Sequence, residues 1–306
     1  MNVTHLITGA LVGSLMFPSF FDSGKHSVAP IVCKGPEKIS QSNEELPYQA
    51  TWIWHAESLE KNTDQYLQFI EEKQIAKVYV QVNAEVKNEV YAAFIQKANH
   101  IGVQVYALDG NPDWGTNTQS VERFKEWVTT FQREYGLLEG VHLDIEPYTL
   151  DMWQTNQRRV IVDFFHVLNG LKAFAATEKL EYEVTIPFWF DEVSYKNRFG
   201  KGVVSEYIID LADRVSVMAY RNEACGKEGI IALSATEIKY AQSKGKSVMI
   251  AVETFNTSEG DFLTFYGKDE AYMNKELTKV YKRFENREGF DGFAIHYLDT
   301  WMLRSD

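Results

Sequence analysis

The sequence predicts an α/β fold, a (β/α)8 TIM barrel, and two patterns support that prediction. First, eight strand-like runs alternate with helical runs from Ala50 onward, over about 255 residues. Second, aliphatic residues inside the runs alternate with polar or aromatic ones, as in strands that face helices on one side and a barrel axis on the other. An open doubly wound sheet is the alternative, but no glycine-rich phosphate loop supports it. The strand-like runs are 51–55, 77–83, 103–109, 140–146, 182–188, 214–220, 247–253 and 292–297.

The segments between these strands have helical periodicity. Apolar residues three and four apart place Tyr66, Phe69 and Ile70 on one helical face. The sequence from Ser234 to Glu237 is a capping-box signature and predicts a helix that begins there. Two longer apolar faces have the same spacing: Val121, Phe124, Val128, Phe131 and Tyr135 in one, and Ile161, Phe164, Phe165, Leu168 and Leu171 in the other.

Composition limits the class of protein. The chain has 306 residues, of which 45% are hydrophobic, enough to build a large core. The net charge of −12 argues against a nucleic-acid partner, because such a protein needs a basic face. The two cysteines, Cys33 and Cys225, do not have the spacing of a zinc site or a redox pair.

The N-terminal part of the chain differs from the rest. Residues 6–21 form an apolar run whose length suits the core of a signal peptide better than a full membrane span. We therefore expect residues 1–48 to be an apolar leader and linker, and residues 49–306 to be the catalytic barrel domain. The expected location is outside the cytoplasm, either secreted or membrane-anchored, with membrane contact only through this leader.

The most informative stretch runs from Glu139 to Pro147. Because side chains alternate along a strand, Val141 and the following aliphatic residues pack one way while Asp144 and Glu146 point the other way. Two neighbouring carboxyl groups at the end of an apolar strand repel each other and lose water, which favours a shared proton. This arrangement is suited to acid–base chemistry, with Glu146 as the proton donor and Asp144 orienting it.

Other polar residues end the predicted strands, where a TIM barrel carries its active site. Tyr220 could donate a hydrogen bond to a carbonyl, and Glu253 could be a nucleophile, a ligand of substrate hydroxyls or a salt-bridge partner. His296 could bind substrate or be a satisfied core histidine. The remaining candidates for substrate binding are Asn83, Asp109, Trp54, Trp189 and Trp301.

The reaction class follows from which groups are present. No serine or cysteine lies in a nucleophile elbow, so acyl transfer is disfavoured. No histidine spacing predicts a metal, and no cofactor is expected. Carboxyl groups among tryptophans favour cleavage of glycosidic bonds. The competing interpretation is a structural carboxylate pair tied to a buried cation, although only His142 and His296 are obvious interior candidates.

The chain resembles the family 18 glycoside hydrolases, the chitinase-like barrels. That family carries Asp-Gly-x-Asp-x-Asp-x-Glu on its fourth strand, and the stretch from Glu139 to Glu146 keeps the last Asp and the Glu. Glu139 and His142 replace the first two Asp residues. The sixth-strand Met-x-Tyr pattern is present as Met218-Ala-Tyr220, followed by Arg221 in place of the usual Asp or Asn.

The resemblance implies a substrate-assisted retaining mechanism on an oligosaccharide or polysaccharide with N-acetylated amino sugars, such as chitin or cell-wall material. Glu146 would protonate the glycosidic oxygen, Asp144 would orient the 2-acetamido group that attacks the anomeric carbon, and Tyr220 would hold the acetamido carbonyl. His142 puts the usual relay behind Asp144 in doubt.

Two other functions remain open at this point. A retaining glycosidase could use Glu146 as acid/base and Glu253 as nucleophile, which requires their carboxyl groups to be about 5–5.5 Å apart. A non-catalytic barrel that binds glycans is the second alternative, because Glu139, His142 and Arg221 depart from the family pattern.

Overall fold

The computed structural model describes residues 46–304, so Cys33 and nearly all of the predicted leader and linker lie outside the described part. Eight parallel strands close into a barrel, and a separate antiparallel hairpin lies in one of the connections. The strands are β1 Tyr48–Ile53, β2 Lys77–Gln81, β3 Gln104–Asp109, β4 Gly140–Leu143, β5 Glu181–Pro187, β6 Ser194–Asn197, β7 Gly200–Val203, β8 Arg214–Met218, β9 Val248–Glu253 and β10 Phe290–His296.

A helix follows every barrel strand. The barrel order is β1-β10-β9-β8-β5-β4-β3-β2, and β6 pairs with β7. The eight predicted strands and the (β/α)8 TIM barrel are therefore confirmed. The helices are α1 Leu59–Glu72, α2 Asn88–His100, α3 Thr118–Glu134, α4 Asp151–Glu178, α5 Val204–Leu211, α6 Ile230–Ser243, α7 Glu270–Phe284 and α8 Leu298–Met302.

Alternation along each strand separates two layers of core. Outward-facing aliphatic residues such as Val141 and Leu143 pack with the helices in one large cluster. Inward-facing residues fill the barrel axis in a second cluster, in which Trp52 contacts Tyr79 and Tyr79 contacts Tyr106. Burial of both faces explains why the strands combine aliphatic and aromatic residues with few exposed positions.

A group of charged and aromatic residues closes the base of the barrel, and we call it the basal cluster. Its centre is Glu183, which is fully buried. Lys77 Nζ lies 2.7 Å from Glu183 Oε1, and the hydroxyl of Tyr79 donates to Oε2 at 2.6 Å. Arg214 Nε and His142 Nδ1 lie 3.5 and 3.6 Å from the same carboxylate. The interior therefore does contain a lysine, which the sequence reasoning missed, but that lysine pairs with Glu183.

Two local features differ from the sequence expectations. Helix α6 begins at Ile230, so Ser234 lies inside it, and its hydroxyl donates to the Ile230 carbonyl oxygen at 2.7 Å instead of capping a helix start. The capping-box prediction was wrong because the same residue spacing also occurs within a helix. The hairpin β6–β7 was not predicted, since its short strands contain only partly buried and exposed residues.

Helix α4 connects the end of β4 to β5 and is unusually long. It bends at Asn156, whose backbone is not helical and whose side chain accepts a hydrogen bond from the backbone N–H of Arg159. Among residues 46–304 it is the helix long and apolar enough to cross a membrane by length and composition. Its apolar residues, including Phe164, Phe165 and Leu168, are buried in the outer core of the barrel.

Candidate active site

The candidate site lies at the C-terminal end of β4, where the strand ends at Leu143 and the chain continues through Asp144 to Glu146. The Asp144 N–H donates to the Asp109 carbonyl oxygen at 3.2 Å, which extends the pairing with β3. Gly110 permits this close approach, because a Cβ there would lie 2.1 Å from the Asp144 carbonyl oxygen. The backbone that carries Asp144 is therefore fixed by the neighbouring strand.

The two carboxyl groups of this segment have raised pKa values. Burial is the main cause for Glu146, and the neighbouring charge of Asp144 adds to it, so the pKa of Glu146 rises to about 8. Burial also raises the pKa of Asp144, although His142 and His296 act in the opposite direction. No Lys or Arg among the described residues forms an ion pair with either carboxyl group. Asp144 Oδ1 is buried and has no hydrogen-bond partner.

Tyr148 is a site residue that the sequence reasoning missed. Its hydroxyl donates to Glu146 Oε1 at 2.6 Å. Its ring packs edge-on against Trp189 with the ring centroids 5.0 Å apart, and it also contacts Trp153. The orientation of Glu146 is thus linked to an aromatic group that follows β5. The signal available in the sequence was a tyrosine two residues after the predicted acid, before the start of α4.

Tyr220 lies just beyond β8 and is buried close to the carboxyl groups. Burial raises its pKa, and the charges of Glu253, Asp144 and Glu146 raise it further. Its phenol therefore stays protonated at any physiological pH and can act as a hydrogen-bond donor. Its position after β8 brings Tyr220 into the same interior region as the two β4 acids.

Glu253 and His296 form a hydrogen-bonded array with Trp54. His296 Nδ1 lies 2.7 Å from Glu253 Oε2, and the indole N–H of Trp54 donates to His296 Nε2 at 2.7 Å. Glu253 Oε1 accepts hydrogen bonds from the backbone N–H groups of Thr254 and Phe255 at 2.7 and 2.6 Å. All three predicted residues are brought together, at the ends of three neighbouring strands.

Asn83 and Asp109 lie at the ends of β2 and β3, but local contacts occupy their side chains. The Asn83 side-chain oxygen accepts the backbone N–H of Glu85 at 2.9 Å, forming a turn. Asp109 Oδ1 accepts the backbone N–H of Gly110 at 2.7 Å, and burial raises the pKa of Asp109 to about 6. Both contacts are within two residues in sequence, so they give each side chain a structural role.

The predicted tryptophans fall into two groups. Trp54 and Trp189 are partly exposed and follow β1 and β5 at the barrel mouth. Trp301 is fully buried and packs edge-on against Tyr48 and Phe69. The prediction that Trp301 contacts substrate was wrong, because α8 folds back after β10 and turns the indole into the outer core.

Arg221 differs in chemistry from the Asp or Asn of the family pattern. It is buried, its Nη1 donates to the Tyr220 carbonyl oxygen at 2.7 Å, and its guanidinium lies over the rings of Phe188 and Phe262. The Phe262 ring is 52% exposed. Arg221 thus joins the loops after β5 and β9 beside the mouth.

Two cavities lie away from these acids. One of about 420 Å³ is lined by residues of α4 and the hairpin, including Arg158 and Lys196. The other, of about 300 Å³, lies outside the barrel wall behind Ile145 and Pro147. No group of three or more His, Cys, Asp or Glu side chains in residues 46–304 is arranged to hold a metal ion.

Comparison with known proteins gives structural matches only. No protein-family model and no curated protein sequence matches the chain. A chitinase from Bacteroides thetaiotaomicron is similar, with a TM-score of 0.55, 12% identity, and coverage of 83% of this chain and 90% of that chain. A plant class V chitinase mutant from Cycas revoluta in complex with (GlcNAc)3 has a TM-score of 0.50, 12% identity, and coverage of 83% and 95%.

A GH18 chitinase from Cycas revoluta, also in complex with (GlcNAc)3, matches over the same shares of both chains with 13% identity and a TM-score of 0.49. At these identities the similarity concerns the fold. The first two matches and the closed barrel of eight parallel strands give the chain the (β/α)8 fold of the chitinases, in agreement with the resemblance of its fourth- and sixth-strand motifs to family 18.

Proposed function

We propose that the protein is a glycoside hydrolase that cleaves a glycan containing N-acetylated amino sugars, with retention of configuration and participation of the substrate. The observation that carries the proposal is the carboxyl pair of Asp144 and Glu146 at the C-terminal end of a barrel strand, without a Lys or Arg partner in the described part of the chain. A fold shared with chitinases, one of them bound to (GlcNAc)3, supports the substrate class.

Glu146 is proposed as the general acid and base. Because burial and Asp144 raise its pKa to about 8, it holds a proton at neutral pH and can donate it to the glycosidic oxygen. After the bond breaks, the resulting carboxylate can remove a proton from the water that completes hydrolysis. The hydrogen bond from Tyr148 holds one carboxyl oxygen in place during both steps.

Asp144 and Tyr220 are proposed to orient the 2-acetamido group. A buried carboxyl oxygen without a hydrogen-bond donor is unfavourable. The unpartnered Oδ1 of Asp144 therefore favours rotation of the side chain toward a substrate N–H. The Tyr220 phenol stays protonated and can donate to the acetamido carbonyl oxygen, which then attacks the anomeric carbon.

Direct nucleophilic attack by Glu253 is less well supported. Three donors already occupy its two oxygens, namely two backbone N–H groups and the His296 ring. A carboxylate that accepts three hydrogen bonds is a weaker nucleophile, because those bonds stabilise its negative charge. A non-catalytic glycan-binding barrel remains the alternative from another class of protein.

The first experiment compares Glu146→Gln with Glu139→Gln on a panel of chitin oligomers and cell-wall glycans. Glu139 makes a matched control, because it is the same residue type, exposed, at the opposite end of the same strand. We expect Glu146→Gln to lower kcat by roughly 10²–10⁴-fold while oligosaccharide binding persists, and Glu139→Gln to change little. Binding without hydrolysis by the wild type would favour the non-catalytic barrel.

The second experiment tests the acetamido group. Hydrolysis of N-acetylated oligomers is compared with that of their de-N-acetylated counterparts, and the anomer of the first product is read by NMR. We expect retention, and no detectable turnover when the acetyl group at the cleavage site is missing. Retention with equal rates on both substrates would favour a protein nucleophile.

Export of the chain fits an extracellular glycan but stays a prediction, since the leader lies outside the described residues.

A further inference from the structure

The array of Trp54, His296 and Glu253 has a defined direction of hydrogen bonding. An indole nitrogen can only donate, so the 2.7 Å contact from Trp54 makes His296 Nε2 an acceptor. The proton of a neutral ring must then sit on Nδ1, from which it is donated to Glu253 Oε2 at 2.7 Å. The contacts on both sides therefore select one tautomer of His296.

This tautomer completes the hydrogen bonding of Glu253. With the two backbone N–H groups on Oε1 and the imidazole on Oε2, both oxygens of the buried carboxylate have charge-assisted bonds. The third carboxylate near the mouth is therefore held in one orientation, in contrast to Asp144, which has an unpartnered oxygen.

The same tautomer fixes the partly exposed Trp54 ring. The indole N–H is the only polar group of that side chain, and its partner is a ring that is itself held from behind. The His296 ring also contacts Trp52, Tyr220 and Tyr297 at centroid distances of 5.4, 6.0 and 5.3 Å, so it has little room to rotate.

We propose that His296 is a positioning residue that bridges Glu253 and Trp54 in a single tautomer. The bridge keeps Glu253 out of the reaction, and it fixes the Trp54 indole as a surface on which a sugar ring can stack. The role assigned to Trp54 rests on the proposed function, whereas the bridge itself does not. In this arrangement Glu253 is held by its hydrogen bonds, and the β4 pair of Asp144 and Glu146 is free to react.

The groups that face His296 set the pH range of the bridge. Burial lowers the pKa of His296, but Glu253 on β9 and the carboxyl groups of Asp144 and Glu146 raise it more strongly, so the net direction is upward. The hydrogen bond from Trp54 opposes protonation, because an imidazolium could no longer accept it. Tyr220 and Tyr297 face the ring as neutral phenols with raised pKa values.

The tautomer is tested directly by ¹⁵N NMR of the imidazoles in the full chain, with His296→Asn used to assign the signal. We expect the neutral His296 ring, observed on the alkaline side of its titration, to carry its proton on Nδ1 with an unprotonated Nε2. An Nε2–H tautomer of the neutral ring would overturn the bridge. This measurement needs no turnover, so it decides the bridge even when the glycan panel shows no hydrolysis.

The role of the bridge is tested by a double-mutant cycle. His296→Asn keeps a donor near Glu253 but loses the acceptor for Trp54, and Trp54→Phe loses the donor while keeping an aromatic ring. We expect each variant to raise KM about fivefold with kcat within about twofold, as for one lost hydrogen bond. The double variant should be no worse than either single one. Additive losses would contradict the coupling, and exposed His100→Asn is the matched control.

Glu253→Gln tests the other half of the proposal. Because Glu253 is withheld from the reaction, we expect kcat to fall less than about tenfold, with the product anomer unchanged. A fall as large as that of Glu146→Gln, together with a burst of covalent intermediate, would overturn it. Equilibrium binding of a chitin oligomer to Glu253→Gln and to Glu146→Gln reports whether each variant still has a folded binding site at the barrel mouth.

Discussion

The base of the barrel holds a fully buried glutamate, Glu183, and the mouth holds a partly exposed one, Glu146, and their pKa values shift in opposite directions. At the base, burial would raise the pKa of Glu183, but the contacts with His142 and Lys77 outweigh it and lower the pKa to about 2. At the mouth, burial and Asp144 raise the pKa of Glu146. Loss of water raises the pKa of both groups, so the difference in direction is due to their partners.

The comparison shows that burial of an acid does not by itself indicate a reactive group. The basal cluster supplies Glu183 with an ammonium, a phenol and an imidazole, and so makes it a structural anion. Glu146 receives one phenol and a like-charged neighbour. A reactive acid is thus recognised by the missing cation, and each prediction below tests that distinction.

The largest effect on stability is expected from Glu183→Gln. This change leaves the Lys77 ammonium buried without its counter-charge, which costs about 3–5 kcal/mol of unfolding free energy. Urea unfolding measures the loss. Adding Lys77→Met to the same chain should recover part of it, because the unpaired charge is then removed. A loss below about 1 kcal/mol for Glu183→Gln would contradict the anion assigned to the base.

The next effect concerns acid pH. The pKa of Glu183 is lowered from 4.5 to about 2, so the folded state releases this proton more readily than the unfolded chain. Its contribution, about 3 kcal/mol, is therefore complete above pH 4.5 and is lost as the pH falls toward 2. Unfolding curves between pH 6 and pH 2.5 measure it. Glu183→Gln should flatten this dependence, whereas exposed Glu139→Gln should keep it.

Gly140 at the base and Gly110 at the mouth are two positions where an added Cβ would clash with neighbouring atoms. A Cβ at Gly140 would lie 2.4 Å from the Tyr106 ring and 2.7 Å from the Glu181 carbonyl oxygen, at the base. Gly140→Ala should cost about 1–3 kcal/mol of stability with kcat unchanged. Gly110→Ala pushes against the Asp144 backbone at the mouth, so kcat should fall roughly 10²-fold as well. Equal kcat losses in the two variants would remove the contrast.

An effect of opposite sign is the stability change in Glu146→Gln. In the wild type the folded chain keeps the Glu146 proton up to about pH 8, whereas the unfolded chain loses it near 4.5. Stability attributable to this group is therefore lost as the pH rises through that range. The variant has no such group, so its unfolding free energy should equal or exceed that of the wild type, with a difference that grows from pH 5 to pH 8. If Glu146→Gln were less stable than the wild type at pH 8, another group would have to stabilise the Glu146 carboxylate.

The barrel could be predicted from the sequence because alternation and helical periodicity are local patterns. Strands such as 77–83 and 247–253 differ by only a few residues from β2 and β9. The hairpin β6–β7 and the start of α6 were not predictable in this way. The first is short and half-exposed, and the second begins after Gly229 without a side-chain cap that would mark its start.

The candidate site could be predicted only in part. The positions of Asp144, Glu146 and Tyr220 follow from strand alternation, whose parity fixes which side faces the axis. Contacts between distant strands do not follow from it. Lys77 and Glu183 are 106 residues apart, and only closure of the barrel brings them together. Trp301 was misplaced because the direction of α8 after the last strand decides whether its indole meets solvent or core.

The contact between Tyr148 and Glu146 determines where the mobile hydrogen of the acid is found. A neutral phenol donates one hydrogen, so Oε1 of Glu146 is the receiving atom and the carboxylic hydrogen belongs on Oε2. Only one of the two oxygens of Glu146 can therefore deliver a hydrogen to a leaving group. The aglycone of any substrate must then approach Oε2 and not the oxygen that accepts from Tyr148.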